Sequence, residues 1–383
     1  MRKYIASQKG KSVATLSYKY RINPNHTQAV ALGEMLADFC QLYNAGLEQR
    51  IQAWRRQSVT VTYKMQADEL KAVRCAAPEL ARWSFSAEQQ VLRRVDKTFK
   101  AFFARGFGFP RFRASARFHA AEFRVGDGLT LRKSDKLGVV GVQGEIKVRW
   151  HRDLPSTPTS AILTRQGGKW YVVFHVEVAP VERAGPDSVG IDVGLSSLVT
   201  LSNGESVARP GWSKRAEREL RRRQRALARC KRGSKRRAKR KAALAKFHDR
   251  VGNRRRDHLH KLSRDLVDRF GRIAIEDLNV QGLARSTLAK HVVDASWAQL
   301  AAMLDYKAAN AGVELVRVDP RGTSQTCPEC GTVAAKTLAE RIHRCPCGCV
   351  IDRDVAAAMV VHFRAFGFWP GTGLGSLSER VAA

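Results

Sequence analysis

Residues 213–256 carry 21 Lys or Arg against three acids, a net +18 in 44 residues. Leu220, Leu227, Leu244 and Phe247 give the run helical anchors, and Gly233-Ser234 interrupts it, which predicts two long basic helices. A segment of one sign at this density repels itself, so the fold must carry it on a surface where something else neutralises it. The whole chain leans the same way: 68 Lys plus Arg against 35 Asp plus Glu in 383 residues, a formal +33. Nucleic acid is the polyanion that fits best, and Arg222, Arg229, Arg236 and Arg254 are candidate phosphate contacts. An anionic membrane fits less well. No stretch approaches the ~18 consecutive apolar residues of a membrane span. Residues 1–16 are basic and polar and lack the apolar run of a signal peptide, so a cytoplasmic protein is expected.

Around this run the chain changes character several times. Residues 13–21 alternate as a strand and end at the turn Asn23-Pro24-Asn25. From residue 27 to about 56 the apolar positions Ala29, Leu32, Leu36, Phe39, Leu42, Tyr43, Leu47, Ile51 and Trp54 follow a helical period. A second helical region spans roughly 67–104 and breaks near Pro78. After Gly106-Phe107-Gly108-Phe109-Pro110 the pattern predicts strands at 129–131, 139–142, 146–150, 161–163 and 170–178, which suggests a β-barrel or sheet interrupted by a helical insertion. A new domain begins near Ser188, with an acid-bearing apolar strand, a second strand at 198–201 and a hairpin turn at Ser202-Asn203-Gly204.

Three acids in this second part stand where a metal-dependent nuclease would need them. Hydrolysis of a phosphodiester by two metal ions requires carboxylates from separate elements to converge on a divalent pair about 4 Å apart. Asp192 lies in the first strand, Glu276 ends the apolar run Arg272-Ile273-Ala274-Ile275, and Asp354 opens a C-terminal helix. Magnesium suits such an all-oxygen site.

Five of the eight cysteines, Cys327, Cys330, Cys345, Cys347 and Cys349, crowd into 23 residues. A disulfide framework would spread them, whereas four thiolates in two knuckles satisfy tetrahedral zinc. Fourteen residues separate Cys330 from Cys345, a spacing that fits a zinc ribbon. Five sulfurs exceed the need, so the second pair is drawn from Cys345, Cys347 and Cys349. His343 is a possible substitute ligand but reads as a surface residue. Cys40, Cys75 and Cys230 read as small hydrophobes on helices.

Taken together, these segments resemble the TnpB family of insertion-sequence nucleases, relatives of the type V CRISPR effectors. Gly190-Ile191-Asp192-Val193-Gly194 resembles the first RuvC motif, Ile275-Glu276-Asp277-Leu278 the second, and Asp352-Arg353-Asp354 the third. Tyr18-Lys19-Tyr20-Arg21-Ile22 with Pro24 and Gln28, Gly108-Phe109-Pro110-Arg111-Phe112-Arg113, and Asp319-Pro320 with Thr323-Ser324-Gln325-Thr326-Cys327 resemble its other signatures. The resemblance runs in order from about residue 16 to 362.

It implies an α/β multidomain protein in which an RNase H-like RuvC nuclease domain holds an inserted zinc ribbon. That domain is preceded by an N-terminal β-barrel (a wedge) interrupted by a helical recognition insertion. The implied spans are 1–25 and 106–185 for the wedge, 26–105 for the insertion, 186–320 and 350–383 for the nuclease domain with basic helices at 213–262, and 321–349 for the zinc ribbon. Asp192, Glu276 and Asp354 become the catalytic acids for Mg²⁺ or Mn²⁺, with Asp277 and Asp352 ranked lower. Cys327, Cys330, Cys345 and Cys347 become the structural zinc ligands, with Cys349 as an alternative.

The implied partners are a guide RNA from the end of the element and double-stranded target DNA; monomer and dimer are equally open. The guide would read sequence by base pairing and the protein only a short adjacent motif. Tyr43, Asn44, Gln89 and Gln90 are candidate contacts for that motif, and Phe109, Arg111, Phe112 and Arg113 suit stacking and phosphate contact. In one respect the chain departs from the family, which usually has Asn where Ala356 stands and often another where Val360 stands. A nuclease-weak or nuclease-dead guided repressor, a compact type V effector and a classical transposase are the competing readings.

Overall fold

Tyr18, Tyr20 and Ile22 alternate with polar neighbours, and this period builds the first strand, β1 (Ala14–Asn23). The structure, a computed structural model, describes residues 14–104, 106–132, 135–179, 187–279, 282, 295–337 and 340–370. The expectations for residues 1–13, and the parts of the expected spans at 180–186, 280–281, 283–294 and 371–383, lie outside the described residues. Those described fall into two compact units, Thr15–Val178 and the residues from Ala179 onward.

In the first unit β1 joins β2 (Ala120–Val125), β3 (Gly128–Leu131), β4 (Lys136–Val139), β5 (Val142–Arg149), β6 (Ser160–Gln166) and β7 (Lys169–Val178) in a closed barrel of order β1-β5-β4-β3-β2-β6-β7. Closure leaves no unpaired edge. The expected strand at 139–142 is instead the tight turn between β4 and β5. Val139 and Val142 both point into the core, while Gly141 takes φ +80° to reverse the chain. Strand β2 was not anticipated, although Ala121 and Phe123 are both buried along it.

Between β1 and β2 run α1 (His26–Gln57), α2 (Tyr63–Ala76), α3 (Pro78–Ala81) and α4 (Phe85–Phe103). The Asn25 side chain accepts from the Gln28 backbone N–H at 2.8 Å while the Gln28 side chain accepts from the Asn25 N–H at 3.1 Å, a capping box that fixes the start of α1. Leu32, Leu36, Phe39, Tyr43 and Leu47 of α1 share one continuous core with Phe123, Val172 and Phe174 of the barrel. The helical insertion and the barrel therefore form one body. Cys40 is buried in it, but Cys75 is exposed rather than packed.

The second unit is built on a five-stranded sheet of β8 (Asp187–Asp192), β9 (Ser197–Leu201), β10 (Ser206–Ala208), β11 (Phe270–Glu276) and β12 (Glu314–Val318), in the order β10-β9-β8-β11-β12. β8, β11 and β12 are parallel, and β9 and β10 pair antiparallel beyond β8. Helices α5 (Trp212–Ala228) and α6 (Lys235–Arg269) are the basic pair, separated at Gly233-Ser234 as expected. The last turns of α6 bury Leu259, Leu262, Leu266 and Val267 in a core with Leu300, Met303 and Leu304 of α7 (Trp297–Ala311). A short hairpin, β13 (Ile342–Arg344) and β14 (Val350–Asp352), leads into α8 (Arg353–Phe366). Among the described residues no helix is long and apolar enough to cross a membrane.

α8 lies across β8 at one crowded point. A Cβ on Gly190 would stand 2.1 Å from the Ala358 carbonyl oxygen and 2.7 Å from His362 N and Cβ. Gly190→Ala is therefore expected to destabilise the protein by about 1–3 kcal/mol through overpacking. Gly252→Ala, on a helix with open space around the added methyl, should be neutral or slightly stabilising. Chemical denaturation of the two variants checks this; equal midpoints would mean that α8 is not packed as described.

Candidate functional site

β8 and β11 run parallel in the register Ile191↔Ile275, so the residues that follow, Asp192 and Glu276, end side by side at one edge of the sheet. Asp354 reaches the same edge from the first turn of α8. A Cβ placed on Gly194 would lie 3.9 Å from Asp192 Oδ2 and 3.8 Å from Asp354 Oδ2, so these two carboxylates face a common point. The three expected acids are thus brought together from two strands and a helix. They do not all come within the mutual reach of one ion, a distance that four of the cysteines do meet.

The electrostatics record the crowding. Burial, and then the charges of Glu276 and Asp354, push the Asp192 carboxyl up to about 8. Glu276 is also raised, chiefly by burial, against the opposing pull of Thr323 and Arg364. The Thr323 hydroxyl donates to Glu276 Oε1 at 2.6 Å, and the Ser196 hydroxyl donates to Asp354 Oδ2 at 3.0 Å. Arg341 in turn donates to Ser196 Oγ at 3.3 Å. Nothing in the sequence marks Ser196 or Arg341, and Thr323 enters it only as part of a motif.

Of the two acids ranked lower, Asp352 is the N-cap of α8, accepting from the backbone N–H groups of Asp354 and Val355 at 2.9 and 3.2 Å. Asp277 pairs with Arg317 at 3.5 Å on the exposed side. Ala356 and Val360 are fully buried in α8.

The cysteine module is built from two tight turns. Cys327-Pro328-Glu329-Cys330 closes with Gly331 N–H donating to Cys327 O at 3.0 Å, and Gly331 sits at φ +73°. The second turn caps the β13–β14 hairpin, with Gly348 at φ +98°. Ligand atoms of Cys327, Cys330, Cys345 and Cys347 all lie within 4.8 Å of one another. The Cys327–Cys347 and Cys330–Cys345 sulfurs are 3.7 and 3.4 Å apart, close to the ~3.8 Å expected between sulfurs bound ~2.3 Å from one tetrahedral zinc. The residues present fit a structural zinc ion.

Cys349 stands apart from this set, and burial pushes its thiol up to about 12. The Thr332 hydroxyl, 3.2 Å from Cys330 Sγ, and the Thr332 backbone pull the Cys330 thiol down to about 6. One expectation fails here: His343 is 1% exposed, not a surface residue, because it is the inward position of β13 beside Cys327 and Cys349.

The candidate nucleic-acid residues divide. Arg222, Arg229, Arg236 and Arg254 are all exposed on the basic helices, though Arg222 is engaged by Glu219 at 2.7 Å. Glu217, Arg218, Arg221, Arg222, Arg225 and Arg229 line a groove of about 700 Å³ along α5. In the first unit Phe109 and Phe112 are half exposed and Arg111 and Arg113 are exposed. Tyr43 is different. It is 1% exposed with its ring 6.2 Å from Phe118, so the expected contact is a core residue on the apolar face of α1. The side chain of Asn44 is committed to the Arg113 backbone, donating to its carbonyl at 2.9 Å and accepting from its N–H at 2.8 Å. Gln89 and Gln90 are half-buried on α4.

Comparison with known proteins adds three family matches. Residues 171–287 match the family described as "Probable transposase", residues 297–361 match "Cas12f1-like, TNB domain", and residues 14–58 match "Helix-turn-helix domain". The last span is one strand and one unbroken 32-residue helix here. A "Putative RNA-guided DNA endonuclease" of Streptomyces pristinaespiralis is 37% identical over 360 residues, 89% of this chain and 87% of the relative. A protein of Escherichia coli K12, "Putative RNA-guided DNA endonuclease InsQ", is 28% identical over 276 residues, 67% of this chain and 68% of the relative. Among solved structures, the Cas12f1–sgRNA–target DNA complex aligns with a TM-score of 0.59 at 13% identity, covering 88% of this chain and 82% of that one. That similarity concerns the fold.

The raised Asp192 carboxyl carries a signed prediction. A group protonated in the folded state and ionised in the unfolded one lowers stability as pH rises from its unfolded value of ~3.9 towards about 8. The slope is at most about 1.4 kcal/mol per pH unit. In magnesium-free buffer the unfolding free energy should fall from about pH 5 to about pH 8, and Asp192→Asn should flatten that fall. Parallel pH profiles for the two proteins would rule out the crowded carboxylate.

Proposed function

Because the chain belongs to the TnpB/Cas12f1-like family of RNA-guided nucleases, we propose that it is an RNA-guided DNA endonuclease of a transposable element, cutting target DNA beside a short adjacent motif. The convergence of Asp192, Glu276 and Asp354 at one edge of the sheet carries this reading. The strand order supports an RNase H-like domain of RuvC type: a central strand, two antiparallel strands on one side and two parallel strands on the other. In this reading 1–25 and 106–185 form the wedge and 26–105 the recognition insertion. Residues 186–320 and 350–383 form the nuclease domain, and 321–349 the zinc ribbon.

Asp192, Glu276 and Asp354 would hold two Mg²⁺ or Mn²⁺ ions. When bound, such ions supply an activated water and offset charge on the leaving oxygen. The chain's own work is to keep the acids poised. Asp192 holds a proton while the cluster is crowded and releases it when positive charge arrives. Thr323 orients Glu276 through a 2.6 Å hydrogen bond, and Ser196, held by Arg341, orients Asp354. Cys327, Cys330, Cys345 and Cys347 hold a structural zinc ion between the segments that carry Glu276 and Asp354.

The exposed arginines of α5 and α6 follow a phosphate backbone, and a guide RNA reads target sequence by base pairing. The protein works in the cytoplasm on nucleoid DNA. A second reading, a guided repressor that cuts weakly, draws on Ala356 and Val360, which leave α8 without polar side chains at the positions where the family usually or often has Asn.

Co-expression with RNA from the flank downstream of the gene, challenged by plasmids with randomised motifs beside the target, tests the reading. Plasmid depletion is expected, and Asp192→Ala should reduce it on the order of 10³-fold, the several kcal/mol that the metal site contributes. RNA that co-purifies with a protein unable to cut would replace this reading with the repressor.

A further inference from the structure

His343 is 1% exposed, and its Nε2 meets no hydrogen-bond partner. A buried imidazole nitrogen left unpaired is destabilising, so a partner for it is expected. Its surroundings offer one. Cys327 is fully buried, Cys349 is 4% exposed, and one ligand atom from each of Cys327, His343 and Cys349 lies within 4.8 Å of the others. Two thiols and an imidazole, all enclosed, make up the donor set of a thiophilic metal ion.

We propose that Cys327, His343 and Cys349 form a second site for a thiophilic ion such as zinc, with the Cys327 thiolate bridging it to the four-cysteine site. This rests on the reading of that first zinc site and is independent of the nuclease reading. Ligand atoms held ~2.0–2.3 Å from a shared ion sit about 3.5–4 Å apart, so the three donors need close by only about 1 Å. The site is not a spare for the first one. Cys349 lies outside the set of sulfurs that fall within 4.8 Å of one another at Cys327, Cys330, Cys345 and Cys347, and the two groups share only Cys327. Replacing one of those four ligands with Cys349 would require the β13–β14 turn to rebuild. Filling the second site requires only that it contract.

The charge balance is favourable. A divalent ion on four thiolates leaves two net negative charges. A second ion, with the Cys349 thiolate and a neutral imidazole, reduces this to one. Lys336 lies beside the cluster as a countercharge, with its Nζ meeting His343 Nδ1 and donating to Ser324 O at 3.2 Å. An ion on Nε2 keeps the ring hydrogen on Nδ1, so Lys336 turns from the ring to the Ser324 carbonyl it already reaches. Binding releases the Cys349 thiol proton to solvent, and no electrons move.

Metal content of the purified full-length chain tests this. The protein is saturated with Zn²⁺ and dialysed into metal-free buffer, and zinc per chain is measured by mass spectrometry. About two ions per chain are expected for the wild type, and about one for Cys349→Ser and for His343→Ala. Circular dichroism establishes that each variant is folded, and His343→Gln replaces His343→Ala if it is not. A wild type with one ion, unchanged in Cys349→Ser, overturns the second site and leaves the first in place. Two ions in both variants place the extra metal elsewhere, at the carboxylate cluster or at thiols such as the exposed Cys75, and also overturn the proposal. No zinc in the wild type removes both sites while leaving the carboxylate cluster untouched.

Discussion

Helix α8 can present Asp354 to Asp192 because β8 has no side chain at Gly190. With the Ala358 carbonyl only 2.1 Å from where a Cβ would stand, any other residue would lift the helix and carry its carboxylate away. Close packing at one backbone position therefore sets the spacing of two acids whose own charges push them apart. The cost is visible at Asp192, whose carboxyl rises to about 8 because it is buried and because Glu276 and Asp354 stand beside it. Packing supplies what electrostatics resists. Positive charge arriving at this end of the sheet would relieve the crowding.

The same separation of roles governs the basic helices. The C-terminal part of α6 buries Leu259, Leu262, Leu266 and Val267 in the core of the second unit, whereas among the described side chains none of α5 or of the earlier turns of α6 is fully buried. There the two helices hold each other by half-buried contacts, among them Arg223 over the Phe247 ring at 5.0 Å. Helix hairpins of such composition gain little from their own packing. They persist because the anchored half of α6 nucleates the rest, and cations on the free half remain available for phosphate.

Where the sequence was legible, a period or an ordered motif spoke for itself. The heptad-like spacing of α1 and the punctuation at Gly233-Ser234 each named an element that the structure contains. The turn at 139–142 was misread because Val139, Val140 and Val142 look like a strand, and only Gly141 signals that the apolar run bends back on itself. Tyr43 carries two signals in the sequence, a polar tip suited to contact and a helical face shared with Leu36, Phe39 and Leu47, and the face prevails. Thr323 and Ser196 were illegible for another reason. Their roles arise from contacts 47 and 158 residues away in sequence, and a small hydroxyl carries no period that could mark it. His343 inverted the usual order: in β13 the isoleucine is exposed and the histidine buried, because sulfur donors rather than apolar surface line the inner face.

The zinc module stands in the chain between two acids, and its contacts explain why. On one side it begins just past Thr323, whose hydroxyl holds Glu276. On the other it ends in β14, whose last residue, Asp352, caps α8 and so orients the turn that bears Asp354. The backbone N–H of Arg353 also donates to the Arg341 carbonyl at 2.8 Å, and Arg341 reaches Ser196 beside the same carboxylate. Metal at the cysteines is therefore coupled to folding of the segments that place two of the three acids. Removing it should loosen Glu276 and Asp354 together and leave Asp192, fixed at the end of the central strand β8, where it is.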